Sequence, residues 1–293
     1  MGTRGRTPRQ RASAPAAPAK FALAAGGRFR HNARHASPDD FDHCHGGLMP
    51  TFMFATGVEN SYPVIAGGVR VDEMDKCGHY RRWRDDLELV RESGLAWLRW
   101  GPALHRTFTG PGQYDFSWTD DVLAAMTRLG VQPVLDLCHF GVPDWLGNFQ
   151  NPDFPAYFAE YAGAVARRYP HVRHWTPVNE PLVTTLFSAK YGWWNERQTS
   201  DAAFVRATLN VARASRLAMA AIRDAVPDAV FVQSESCEYT HADRPDLQPE
   251  ADFLNERRFL PLDLIYGHPV APAMRRYLSD HGATPADHAF FAQ

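Results

Sequence analysis

The sequence predicts an α/β fold, a (β/α)8 TIM barrel that stops after about five βα units. Three observations carry this reading. From Thr51 onward, short apolar runs alternate with longer amphipathic ones. The stretches joining successive apolar runs are far too long for hairpins, so the sheet must be parallel with helical crossovers. Polar and charged residues collect where the apolar runs end: Glu59 and Asn60, Arg99, His139, Asn179 and Glu180, and Glu235. In a barrel those ends meet on one face, the face that carries active sites.

The first strand is expected over 52–56. In the helix after it, Trp83, Leu87 and Val90 recur at i, i+4 and i+7, and Gly94 closes the pattern. A second strand is expected over 95–100, and the next helix carries Val122, Met126 and Leu129 on one face before Gly130. A third strand follows over 133–139. Phe158, Tyr161, Ala162 and Val165 then make a helical stripe that ends before Pro170. The fourth strand reads as 174–180. A long alanine-rich helix follows, with Val205, Leu209 and Ala212 at helical spacing. The fifth strand is expected over 229–234, and weaker helical patterns occupy 250–280.

No GxGxxG or P-loop follows any of these strands, which removes the main reason to prefer an open doubly wound sheet. Strand centres fall about 40 to 55 residues apart, so eight units would need roughly 350 to 400 residues. The chain has 293. A partial barrel is therefore expected, with an edge strand and an uncovered flank. Residues 1–45 are rich in Arg, Ala and Pro with almost no apolar periodicity, and read as a disordered basic tail. The partial barrel would occupy 46–293.

Hydrophobic content of 45% and charged content of 22% are ordinary for a globular domain. A net charge of -2 argues against a general binder of nucleic acid or membrane surface, and suits a neutral polar substrate better than a polyanion. Cys44, Cys77, Cys138 and Cys237 are scattered without a CxxC pair, as expected for reduced thiols in the cytoplasm. No apolar run reaches membrane-spanning length, and the apolar stretch at 21–25 is too short for a signal peptide.

The strongest chemical signal is Thr176-Pro177-Val178-Asn179-Glu180-Pro181. A carboxylic acid at a barrel strand tip can protonate a glycosidic oxygen, while an adjacent Asn holds the sugar 2-hydroxyl. Taken alone, the same residues also read as a strand-end turn closed by proline. Glu235 and Glu238 follow the fifth strand and could supply a second carboxylate, or could be rim acids. Asp136 lies inside a strand and reads as structural, paired with Arg99. Phe140, Trp145, Trp193 and Trp194 lie near the expected mouth, where sugar C–H faces stack on aromatic surfaces. Core packing accounts for either tryptophan of the 193–194 pair equally well. The one tight histidine cluster, Asp42-His43-Cys44-His45, lacks the spacing of a zinc site, so no metal and no cofactor are expected.

Five segments occur in a telling order. They are Ala55-Thr56-Gly57-Val58-Glu59-Asn60, then His79-Tyr80-Arg81-Arg82-Trp83-Arg84-Asp85-Asp86, then Leu98-Arg99-Trp100, then Asp136-Leu137-Cys138-His139-Phe140, and finally Asn179-Glu180-Pro181. Together they resemble glycoside hydrolase family 1, barrel enzymes with the acid/base after strand four. The resemblance implies retaining cleavage of β-linked glucosides or oligosaccharides. It implies Glu180 as acid/base, Asn179 on the 2-hydroxyl, His139 and Asn60 on the glycone, and Arg99 beside the nucleophile. Trp193 and Trp194 would form an aglycone platform. Phe140 replaces the usual tryptophan, and Asn60, flanked by Glu59, stands where the family carries glutamine. The family's nucleophile is a glutamate after strand seven, and no position of this chain inherits it. The rival expectations are a catalytically inactive fragment or sugar-binding module and, more remotely, a barrel metallohydrolase.

Overall fold

The computed structural model describes residues 53–293. Five parallel strands build the main sheet: β1 (Ala55–Gly57), β2 (Trp97–Trp100), β3 (Gln132–Asp136), β4 (His174–Thr176) and β5 (Val230–Phe231). Each pairs with the next in sequence order. A doubly wound sheet reverses its strand order at a switch point. Here the order never reverses, so the winding is that of a barrel. Among the described residues β1 and β5 form the two edges of this sheet.

The crossover helices are α1 (His79–Glu92), α2 (Ser117–Leu129), α3 (Phe154–Arg168) and α4 (Asp201–Ala225). Their sequence stripes face the core. Trp83, Leu87 and Val90 are buried on α1, Val122 and Met126 on α2, and Phe158, Tyr161, Ala162 and Val165 on α3. Each large apolar side chain fully buried in this way contributes roughly 1.5–3 kcal/mol. Gly130 ends α2 at φ 72°, a left-handed cap that glycine adopts without steric cost. Ser200 opens α4 by accepting from the Ala203 N–H. Leu260, Leu264 and Ile265, on the helix Leu260–Tyr266 that packs against α4, complete this flank.

The observed strands are shorter than the apolar runs. The fourth leaves the ladder at Thr176, since Pro177 has no N–H to donate. The first begins at Ala55, with Met53 and Phe54 before it outside the ladder, and residue 52 lies outside the described residues. Two hairpins were not anticipated: Val64–Ile65 with Val69–Arg70, and Phe108–Gly110 with Gln113–Tyr114. The basic tail and the Asp42–His45 cluster lie outside the described residues. No described helix is long and apolar enough to cross a membrane.

Candidate active site

The sheet's C-terminal tips bring distant residues together. Asp136, at the end of β3 and 1% exposed, places Oδ2 at 2.7 Å from Arg99 Nη2 and 2.6 Å from His139 Nδ1. A carboxylate oxygen can only accept here, so Nδ1 carries the proton. His139 Nε2 lies 3.8 Å from Glu59 Oε1. The expected Arg99–Asp136 pair is present, and it also orients the histidine.

Arg99 reaches further. Its Nη2 donates to Asn179 Oδ1 at 2.8 Å and approaches Ser234 Oγ at 3.3 Å. Ser234 Oγ in turn donates to the same Asn179 Oδ1 at 2.7 Å. Two donors on Oδ1 fix the amide's orientation. Asn179 Nδ2 is buried and has no protein partner. An unmet buried donor costs about 1–3 kcal/mol unless water or a ligand meets it.

Glu180 follows at φ 41° and ψ 68°, left-handed for a residue with a Cβ. Pro181 after it disfavours the ordinary helical region. The turn is held by Glu180 N donating to Ser234 O at 3.1 Å and Thr184 N donating to Glu180 O at 2.8 Å. Such strain costs on the order of 1–3 kcal/mol and persists where the surroundings enforce it.

Glu235, at the tip of β5, accepts the Leu182 N–H at 2.7 Å and the Ser236 N–H at 3.0 Å. Burial pushes its carboxyl up to about 7; the N–H groups of Leu182, Ser236 and Val183 oppose the rise, and the charge of Glu180 adds to it. Glu238 is exposed and gives its carbonyl to Arg258.

Two of the expected residues have polar groups already engaged within the protein. Asn60 is 5% exposed, and its Nδ2 donates to Asp136 O at 3.0 Å and Pro102 O at 3.4 Å. Its amide nitrogen is thus tied to the backbone, while its Oδ1 is buried without a protein partner, and its neighbour Glu59 stands beside His139. Trp145 donates to Phe108 O at 2.9 Å, with its ring edge on Phe108 and Tyr157. Phe140 (φ 59°) joins His139 to Trp194, with ring centroids at 4.5 and 4.8 Å. Phe187 packs on both Trp193 and Trp194 at 4.7 Å. Asn195 latches this loop by donating to Phe140 O at 2.9 Å. Trp193 remains 55% exposed. Sequence reading missed Ser234, Phe187 and Asn195. Ser234 lies at a strand end and so was findable, whereas the other two carried no signal. No group of three or more His, Cys, Asp or Glu among the described residues could hold a metal ion.

Parallel strands in barrel order, with a carboxylate cluster on their C-terminal face, define a (β/α)-barrel protein with a polar strand-tip site. Residues 69–266 match the model of Glycosyl hydrolase family 1, and the chain belongs to that family. The matched stretch begins after β1, so Glu59 and Asn60 lie outside it. Beta-glucosidase A of Thermotoga maritima is 26% identical over 160 residues, covering 52% of this chain and 36% of that protein. Aryl-phospho-beta-D-glucosidase BglH of Bacillus subtilis is 25% identical over 217 residues, covering 69% of this chain and 46% of that protein. The chain thus spans less than half the length of these curated relatives. The solved Thermotoga maritima beta-glucosidase in complex with castanospermine superposes with a TM-score of 0.72 at 18% identity, covering 84% of this chain and 63% of that one. At that identity the likeness speaks for the fold.

Proposed function

We propose that this chain carries the acid/base half of a retaining β-glycosidase site acting on β-linked glucosides or oligosaccharides. The single observation that carries the reading is Asn179. Its Oδ1 is fixed by Arg99 and Ser234, and its buried Nδ2 is left to meet a sugar oxygen beside Glu180. Glu180 protonates the leaving oxygen and later takes a proton from the attacking water. His139, oriented by Asp136 with its proton on Nδ1, accepts from a glycone hydroxyl at Nε2. Glu59 supplies a carboxylate on the same side. Trp194, with Phe140 behind it, offers a stacking surface, and the more exposed Trp193 extends it toward the aglycone.

Retaining chemistry needs a second carboxylate about 5–5.5 Å from the first. The family resemblance puts it after a seventh strand. Glu235 is no substitute, because both its oxygens are engaged by backbone N–H groups. That engagement also favours a second reading, a module that holds a sugar without cleaving it.

Hydrolysis of an aryl β-glucoside with a poor leaving group separates the two, with Glu180→Gln measured alongside. Turnover that is lost in the variant supports the acid/base reading. Undiminished turnover in Glu180→Gln sinks it. Saturable sugar binding without turnover in either protein favours the module.

A further inference from the structure

The helical turn Pro181–Thr185 begins without the usual means of closing a helix N-terminus. Its N-cap is Glu180, whose side chain makes no capping hydrogen bond. Pro181 has no N–H, so Leu182 provides the first free donor of the turn. Glu235 takes that donor from another strand, Oε2 to Leu182 N at 2.7 Å. Its Oε1 accepts the Ser236 N–H at 3.0 Å, which fixes the carboxyl to its own strand. One residue earlier, Ser234 O accepts the Glu180 N–H at 3.1 Å. The tip of β5 therefore grips the Glu180 turn on both sides of the strained residue.

We propose that Glu235 is a positioning residue for Glu180, a cap supplied from β5 that holds the left-handed turn and leaves the Glu180 carboxyl uncommitted. The role of Glu180 rests on the acid/base reading above, while the brace itself rests on the contacts. An N-cap carboxylate normally bonds its own helix. A Glu180 that did so would be tied up by backbone donors. Dividing the work between two carboxylates lets one anchor and the other react.

Glu180 faces Glu235 from the β4 turn and acts on it through charge. From β2, the Arg99 guanidinium comes as near as Ser234 Oγ. Beyond Leu182, Glu238, Arg257 and Arg258 line a small cavity. Protonating Glu235 costs one oxygen its full acceptor strength, so the turn loosens when the carboxyl gains a proton.

The test is a two-dimensional amide NMR titration of the full chain, in wild type, Glu235→Gln and Glu235→Ala. In the wild type the Leu182 and Glu180 amides should shift together with a midpoint at about 7. That step should vanish in Glu235→Gln. In Glu235→Ala the Leu182 amide should exchange with solvent about tenfold faster or more, and the glutamine, which keeps an acceptor oxygen, should restore most of the protection. A purely structural role would leave no shared midpoint at Glu180. The brace is overturned if the Glu180 amide ignores Glu235→Gln, or if Leu182 exchange is unchanged in the alanine variant. None of these readouts needs turnover. Retained hydrolysis by Glu180→Gln would sink the acid/base reading and leave the brace standing.

Discussion

Arg99 and Asn179 lie 80 residues apart in sequence, and Arg99 Nη2 meets Asn179 Oδ1 at 2.8 Å. The same nitrogen holds Asp136 at 2.7 Å, so one guanidinium arm joins β2, β3 and the tip of β4. Removing it leaves the Asp136 carboxylate, 2% exposed, without its cation. Arg99→Met should therefore cost about 3 kcal/mol of unfolding free energy in a denaturant titration, the usual penalty for stripping one partner from a buried pair. Arg99→Met combined with Asp136→Asn should recover part of it. A double variant no better than the sum of the singles would show that the pair is not coupled.

Asn179 should act on the transition state. A bond to the sugar 2-hydroxyl strengthens as the glycosidic bond breaks and supplies several kcal/mol there. Where turnover is measurable, Asn179→Ala should lower kcat about 100-fold with little change in KM. Hydrolysis of the matching 2-deoxyglycoside should barely respond to the same change. Equal losses on both substrates would remove the 2-hydroxyl from the argument.

The strand and helix order was legible because burial imposes periods of two and 3.6 residues on the chain. Strand ends were not legible for the same reason. Val178 is fully buried yet lies beyond β4, so an apolar run over 174–180 reports burial and says nothing of ladder pairing. The hairpin strands at 64–65 and 69–70 are two residues each, too short to show alternation. In the site, Asp136, Arg99 and His139 could be named from their strand-end positions. The choice between Glu59 and Asn60 could not be made. Neighbouring residues on an extended chain point to opposite sides, so a one-residue uncertainty in register exchanges wall and mouth.

Gly101 should tolerate no side chain at all. A Cβ there would lie 1.8 Å from Asp136 O and 2.3 Å from Asn60 Nδ2. Backbone cannot yield as a flexible side chain does, so Gly101→Ala must push β2 and β3 apart and break the Asn60–Asp136 bond. The cost should be at least about 1–3 kcal/mol, read as a lower denaturant midpoint. The shifted Asp136 should also weaken sugar binding. An unchanged midpoint would mean that the two tips are far less closely packed than their contacts require.

Glu235 should make the protein less stable as pH rises. Its carboxyl moves from 4.5 to about 7 on folding, chiefly through burial. Below the lower value both folded and unfolded chains hold the proton, and the stability associated with the neutral carboxyl is fully present. Between the two values the unfolded chain releases its proton first, which favours unfolding, and the loss is complete once pH exceeds the folded value. A rise of this size corresponds to about 3 kcal/mol. Glu235→Gln removes the ionisation, so its unfolding free energy relative to the wild type should improve steadily across that window. The difference between the two proteins isolates this group from the other titrating residues, because they are common to both. A difference that stays flat would show a carboxyl with no raised affinity for its proton, and one of opposite slope would show that the backbone donors outweigh burial. With the expected slope, Glu235 is a buried charge that weakens the fold near neutrality, as carboxylates held in place for a site commonly do.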